Sequence, residues 1–91
     1  MHIVIQGAGR GLGLAFAHHA LRAGATKLYL TARNPQDCKG FRQLQPSEHI
    51  QWFNLDFLNP DQIASTGEAI LAAAPHIDRV IVTAGVLHDI K

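Results

Sequence analysis

The sequence predicts an α/β fold built on a doubly wound parallel sheet. Two observations carry this. Short apolar, β-branched runs alternate with helix-patterned stretches along the whole chain, and each gap between runs is long enough for a crossover helix. The first run, Ile3-Val4-Ile5, leads at once into Gly7, Gly9, Gly11 and Gly13 and then into helix formers, the order strand, tight turn, helix. Right-handed crossovers with a reversal after the third strand give the strand order 3-2-1-4, with a crevice above the glycine turn. At 91 residues the chain is long enough for one domain and too short for two.

The elements follow in order. His2 to Gln6 suits a buried strand. Gly11 to Arg22 suits a helix that stops near Gly24, a C′ glycine; Leu14, Ala17 and Leu21 share one face, with Phe16 and Ala20 beside them. Lys27 to Thr31 reads as a second strand, with Leu28 and Leu30 on one side and Tyr29 on the other, closed by Asn34-Pro35. Gln36 to Leu44 carries a weaker, short helical pattern. Pro46-Ser47 turns into an aromatic third strand from Gln51 to Leu55.

The next helix is better marked. Asn59 is its N-cap, Pro60 takes the first helical position, and Gln62 stands where a capping box wants Glu or Gln. Ile63, Ile70, Leu71 and Ala74 form its apolar face, and Pro75 ends it. Gly67 inside it costs about 1 kcal/mol relative to alanine, which implies close packing against a strand or a weak point. Arg79 to Thr83 is the fourth strand, and Ala84-Gly85 turns out of it.

Composition excludes several classes. With 47% hydrophobic and 16% charged residues a core is expected. A net charge of +1 without a Lys/Arg run gives no attraction to nucleic acid or an acidic membrane. No apolar run reaches the ~20 residues of a membrane span. Cys38 is the single cysteine, so an intramolecular disulfide is excluded and a reducing, cytoplasmic setting is expected; Cys38 reads as a solvent-facing structural residue beside Lys39. The histidines show no i, i+4 pair for a metal, and His88-Asp89 reads as a polar loop. No metal site is expected.

The glycine turn carries the chemistry. Glycines let the backbone adopt positive φ and let a ligand approach, and the first turn of the following helix offers unpaired N–H donors at a positive dipole end. Such a corner holds a phosphate or pyrophosphate. The spacing is G-x-x-x-G-x-G from Gly7 through Gly11 to Gly13, with Gly9 in addition and Arg10 and Leu12 between. Gly7 makes the turn, Gly11 admits the pyrophosphate, and Gly13 brings helix close to sheet. A turn that only joins strand to helix is the competing reading.

About 20 residues further on, a dinucleotide site reads the adenosine ribose. An Asp or Glu there would repel a 2′-phosphate; this chain has Thr31-Ala32-Arg33. Ala32 leaves room, the Arg33 guanidinium can pair with a phosphate, and Arg10 reaches the same region. Two cations and no carboxylate favour NADP over NAD, against the plainer reading of two solvated charges. Asp56, after the third strand and beside Phe57, can accept a bond from the adenine amino group, or simply make a turn.

Together these residues resemble the short-chain dehydrogenase/reductase family. The resemblance lies in the Q-G-A-G-R-G-L-G turn, T-A-R, L-D-F and V-T-A-G-V-L-H-D from Val82 to Asp89, in that order, and covers essentially the whole chain. It implies a Rossmann-type fold in which Gly7, Gly11 and Gly13 hold the pyrophosphate, Asp56 faces adenine, and Ala84 and Gly85 support the adenosine. Gln6 replaces the family's Thr before the first glycine, and Val82-Thr83 its Asn-Asn, so the bonds tying these loops are expected to differ.

The family's catalytic Ser and Tyr-x-x-x-Lys are absent. Tyr29 falls within the second strand and reads as core. Residues 1–91 are therefore expected to be the N-terminal NADP-binding part of an oxidoreductase that transfers hydride between nicotinamide and a carbonyl or alcohol substrate, truncated before its catalytic segment. Such a piece would bind a cofactor without turnover and self-associate through its fourth strand. Two alternatives remain: an S-adenosylmethionine-dependent methyltransferase fragment, which would need an acidic residue where Arg33 stands, and a non-catalytic nucleotide-binding module.

Overall fold

The computed structural model describes residues 1–56 and 58–83. Four parallel strands, β1 (His2–Gln6), β2 (Lys27–Ala32), β3 (Ile50–Asn54) and β4 (Arg79–Val82), lie in the order β3-β2-β1-β4. The expected doubly wound sheet is observed. Ile3 pairs with Leu28 and Arg79, and Leu28 pairs in turn with Ile50, so the strands start level and their C-terminal ends share one edge.

Side-chain alternation sorts the core into two layers. Ile3, Ile5, Leu28 and Leu30 face α1 (Gly11–Arg22), where Leu14, Ala17 and Ala20 meet them, and Leu44 closes the far end after α2 (Lys39–Gln43). Val4 and Tyr29 face the opposite way, against Ile70 of α3 (Pro60–Ala73). The second layer is thinner. On α3 only Thr66 and Ile70 are buried, while Ile63 and Leu71 of the expected apolar face are 43% and 68% exposed. Thr66 takes an inward place because its hydroxyl donates to the Asn54 carbonyl, 3.0 Å away.

Local chemistry accounts for the boundaries. α1 ends in a Schellman motif: Gly24, at φ 93°, lets its own N–H reach Leu21 O and the Ala25 N–H reach Ala20 O. α3 begins at Asn59, whose side chain accepts from the Gln62 amide. Gln62 departs from a capping box, because its Oε1 accepts from the Asp56 amide instead and ties the helix to the loop after β3. Ala74, before Pro75, is extended and closes the helix. The stretch expected as one weak helix is split: Pro35–Asp37 makes a 3-10 turn, and an extended Cys38 separates it from the five-residue α2. β3 starts one residue earlier than expected, because Ile50 pairs with Leu28. Nothing lies within 4 Å of a Cβ built on Gly67, so it is a weak point and not a close contact.

Among the described residues no helix is long and apolar enough to cross a membrane. In the same set β4 is the margin of the sheet, with Val80 54% and Val82 50% exposed.

Candidate functional site

The turn between β1 and α1 is held from both neighbouring strands. Gly7, at φ 78°, directs its N–H to the Thr31 hydroxyl at 3.2 Å, and the Ala8 N–H donates to Thr31 O at 2.9 Å. From the end of β4 the Thr83 hydroxyl donates to Gln6 O at 2.9 Å, with Gly7 O at 3.3 Å, and the Thr83 amide reaches Gln6 O as well. Thr83 thus ties the loops where the family's usual residues are replaced. Gly13 lies tightly behind the turn: a Cβ there would stand 2.0 Å from Gly7 O and 2.9 Å from Thr83 Oγ1.

The start of α1 differs from that of α3. Arg10 occupies its N-cap in an extended conformation with no side-chain capping bond, and the first turn holds no acidic residue. α3, by contrast, has Asn59, Pro60 and Asp61. The first-turn amides and dipole of α1 are left for an external acceptor. Gly11, at φ 60°, has nothing within 4 Å of its Cβ position, so the backbone there is open to close approach.

That corner opens into a groove of about 1060 Å³ along the C-terminal edge of the sheet. The glycine turn with Leu12 and Phe16 forms one wall, and Thr31 to Asn34 another. Leu55, Asp56 and Leu58 close the β3 side, and Ile81 to Thr83 the β4 side. A smaller hollow of about 340 Å³, lined by Pro35, Phe41, Trp52 and neighbours, lies elsewhere and holds no ionisable group.

Nine of the sequence-predicted residues line this groove: Gly7, Gly9, Arg10, Gly11, Leu12, Gly13, Ala32, Arg33 and Asp56. Arg10 and Arg33 are exposed and Ala32 is buried. Asp56 makes a turn, its Oδ1 accepting from the Leu58 amide at 2.9 Å, while also bordering the groove. Phe57, Ala84, Gly85, His88 and Asp89 lie outside the described residues. Tyr29 is fully buried on the α3 side, its hydroxyl 2.9 Å from His2 Nδ1, and burial raises its pKa above the ordinary phenol value. It takes no part in the groove.

Sequence reasoning missed the contribution of α2. The Gly40 amide donates to Gly9 O at 2.8 Å, and a Cβ on Gly40 would stand 2.7 Å from Ala8 O and 3.0 Å from Gly9 O. Cys38 is half-buried, not solvent-facing: its Sγ accepts from the Phe41 amide, and it packs on Gly9. Lys39, between them, borders the groove. A glycine two residues after a cysteine carries no signal of its own.

Comparison with known proteins agrees with this geometry. A family model for the KR domain matches residues 1–91. The short chain dehydrogenase FGM9 of Gibberella zeae is 36% identical over 92 aligned positions, covering 91% of this chain and 26% of the relative. A carbonyl reductase from Pseudomonas aeruginosa PAO1, solved in complex with NADP, is 34% identical and superposes with a TM-score of 0.78 over 93% of this chain and 38% of its own. A protein described as a short-chain dehydrogenase/reductase from Burkholderia multivorans, with bound NADP, is 28% identical, with a TM-score of 0.75 over 92% of this chain and 36% of its own. The chain thus spans about a quarter of the Gibberella relative and under two-fifths of these two structures. Matched over its full extent by the KR domain model, and carrying the glycine turn and strand order that its motifs led one to expect, the chain belongs to the KR domain family of short-chain dehydrogenases/reductases.

Proposed function

We propose that residues 1–91 bind NADP and form the cofactor-binding part of an oxidoreductase acting on a carbonyl or alcohol group of a small molecule. The observation that carries this reading is the start of α1: an uncapped first turn without acidic residues, next to a glycine with open space before it, at the floor of a groove flanked by arginines. A pyrophosphate fits that corner, because it supplies the acceptors the amides lack and needs the room a Cβ on Gly11 would take.

In this reading the backbone of Gly7, Gly9, Gly11, Leu12 and Gly13 cradles the pyrophosphate. Arg10 and Arg33 pair with the 2′-phosphate, for which the small Ala32 leaves room. Asp56 and Phe57 take the adenine, and Ala84 and Gly85 the adenosine side. When bound, the nicotinamide supplies the hydride chemistry. Tyr29 is sealed in the core and takes no part in proton exchange with a substrate, so in this reading the stretch contributes binding and orientation. The NADP-bound Pseudomonas and Burkholderia relatives support the choice of cofactor. A cytoplasmic setting accords with the single cysteine.

Calorimetric titration of the full-length protein with NADPH and NADH tests the reading. NADPH is expected to bind more tightly, and Arg33→Ala to weaken it about tenfold or more, the value of a charge-assisted contact. Equal or tighter NADH binding, or an unchanged Kd in Arg33→Ala, overturns it.

A further inference from the structure

We propose that Lys39, at the start of α2, is a third cation of the 2′-phosphate site and sets the preference for the phosphorylated cofactor. The inference rests on the NADP reading above and names a residue which that reading leaves out.

Charge balance in the groove motivates it. A phosphate monoester carries about −1.5 to −2 charges near pH 7. Arg10 and Arg33 supply two positive charges, but two carboxylates, Asp37 and Asp56, border the same groove. Two arginines against two carboxylates leave the phosphate under-compensated. Lys39 borders the groove as well, has no carboxylate partner among the described residues, and tips the charged lining to a net positive value.

The backbone around Lys39 is held against the glycine turn on both sides. Cys38 packs on Gly9, its Cβ 3.2 Å from where a Cβ on Gly9 would stand. Gly40 donates to Gly9 O at 2.8 Å and fits only because it lacks a Cβ. Lys39 is thereby fixed next to the residue that precedes Arg10. Only its own side chain has to be ordered on binding, which lowers the entropic cost of the contact. A lysine on a freely moving loop would not have this advantage.

The test compares two adenine nucleotides that differ by this phosphate, 2′,5′-ADP and 5′-AMP, in calorimetric titrations of the full-length protein. Wild type binds 2′,5′-ADP more tightly; if it does not, the NADP reading itself fails. Given that preference, Lys39→Ala weakens 2′,5′-ADP by about fivefold, the scale of a solvent-exposed ion pair, and leaves 5′-AMP unchanged. Lys39→Arg restores the preference, and Asp37→Asn tightens 2′,5′-ADP without Lys39 being touched. A Lys39→Ala protein with the wild-type ratio, while Arg33→Ala loses it, overturns the role of Lys39 and leaves the NADP reading intact. Equal weakening of both nucleotides also overturns it, since it would mark Lys39 as a prop for α2.

Discussion

Gly13 and Gly11 sit two residues apart in one turn and are expected to fail in different ways when each gains a methyl group. At Gly13 the new carbon would stand 2.0 Å from Gly7 O, where ordinary contact begins at 3.4 Å, so the turn has to open by about 1.4 Å. The obstacle is backbone, held in turn by Thr83 and Thr31, and cannot rotate away. Gly13→Ala therefore costs about 3 kcal/mol, the upper range for overpacking, and lowers the urea midpoint. At Gly11 nothing obstructs the carbon, and only the φ of 60° is unfavourable, for about 1 kcal/mol. That methyl group projects where the pyrophosphate is proposed to lie, so Gly11→Ala stays folded and loses NADPH affinity. Urea denaturation followed by circular dichroism, beside calorimetric titration of NADPH, separates the two. A Gly13→Ala protein that unfolds at the wild-type midpoint refutes the packing argument, and a Gly11→Ala protein with wild-type affinity refutes the docking argument.

Thr83→Val deletes the hydroxyl that bridges β4 to the glycine turn, and should cost about 1 kcal/mol in urea and weaken NADPH binding; a neutral result would mean that the Thr83 amide alone suffices. Gly67→Ala adds a methyl group to open space inside α3 and should raise stability by about 0.5–1 kcal/mol, read as a higher urea midpoint. Asp78 accepts from the His2 amide at 2.7 Å and lies 3.1 Å from His76 Nε2. The amide bond, aided by the His76, N-terminal and His2 charges against a smaller opposing effect of burial, holds its pKa below the ordinary 3.8. Because the folded pKa is the lower one, this stabilisation is full above the ordinary value and fades as pH falls through the folded one. Unfolding free energies measured below about pH 5 should therefore decline less steeply in Asp78→Asn than in wild type. Made alone, residues 1–91 should self-associate through the exposed margin of β4 and disperse on Val80→Lys with Val82→Lys, which sedimentation would reveal.

Those elements whose cause is local were legible in the sequence. Asn59-Pro60 marks the start of α3, Gly24 the end of α1, and alternation along Lys27–Ala32 sends Leu28 and Tyr29 to opposite layers. What escaped depends on contacts across the fold. Gly40 carries no signal within the weak helical pattern of Gln36 to Leu44, and only the fold brings Ala8 O and Gly9 O beside it. Cys38 reads as a surface residue, whereas its Sγ serves a helix too short to predict. Leu71 has the right period for a buried face, but nothing among the described residues covers it. Gln62 has a capping-box position, yet its side chain finds the Asp56 amide first. Within the site, the glycine corner and the two arginines were visible because their chemistry is written in adjacent residues; Lys39 was not, because the fold brings it there.

Trp52 is the only indole in these 91 residues, and it leans on the very element that steadies the glycine corner. Its Nε1–H is bonded to Leu44 O at 2.6 Å, and its ring edge lies 3.1 Å from where a Cβ on Gly40 would be, with the Gly40 amide fastened to Gly9. A movement of the glycine corner as small as a few tenths of an ångström would be passed through two contacts to a chromophore. Trp52 emission is therefore expected to report such a movement without any attached dye.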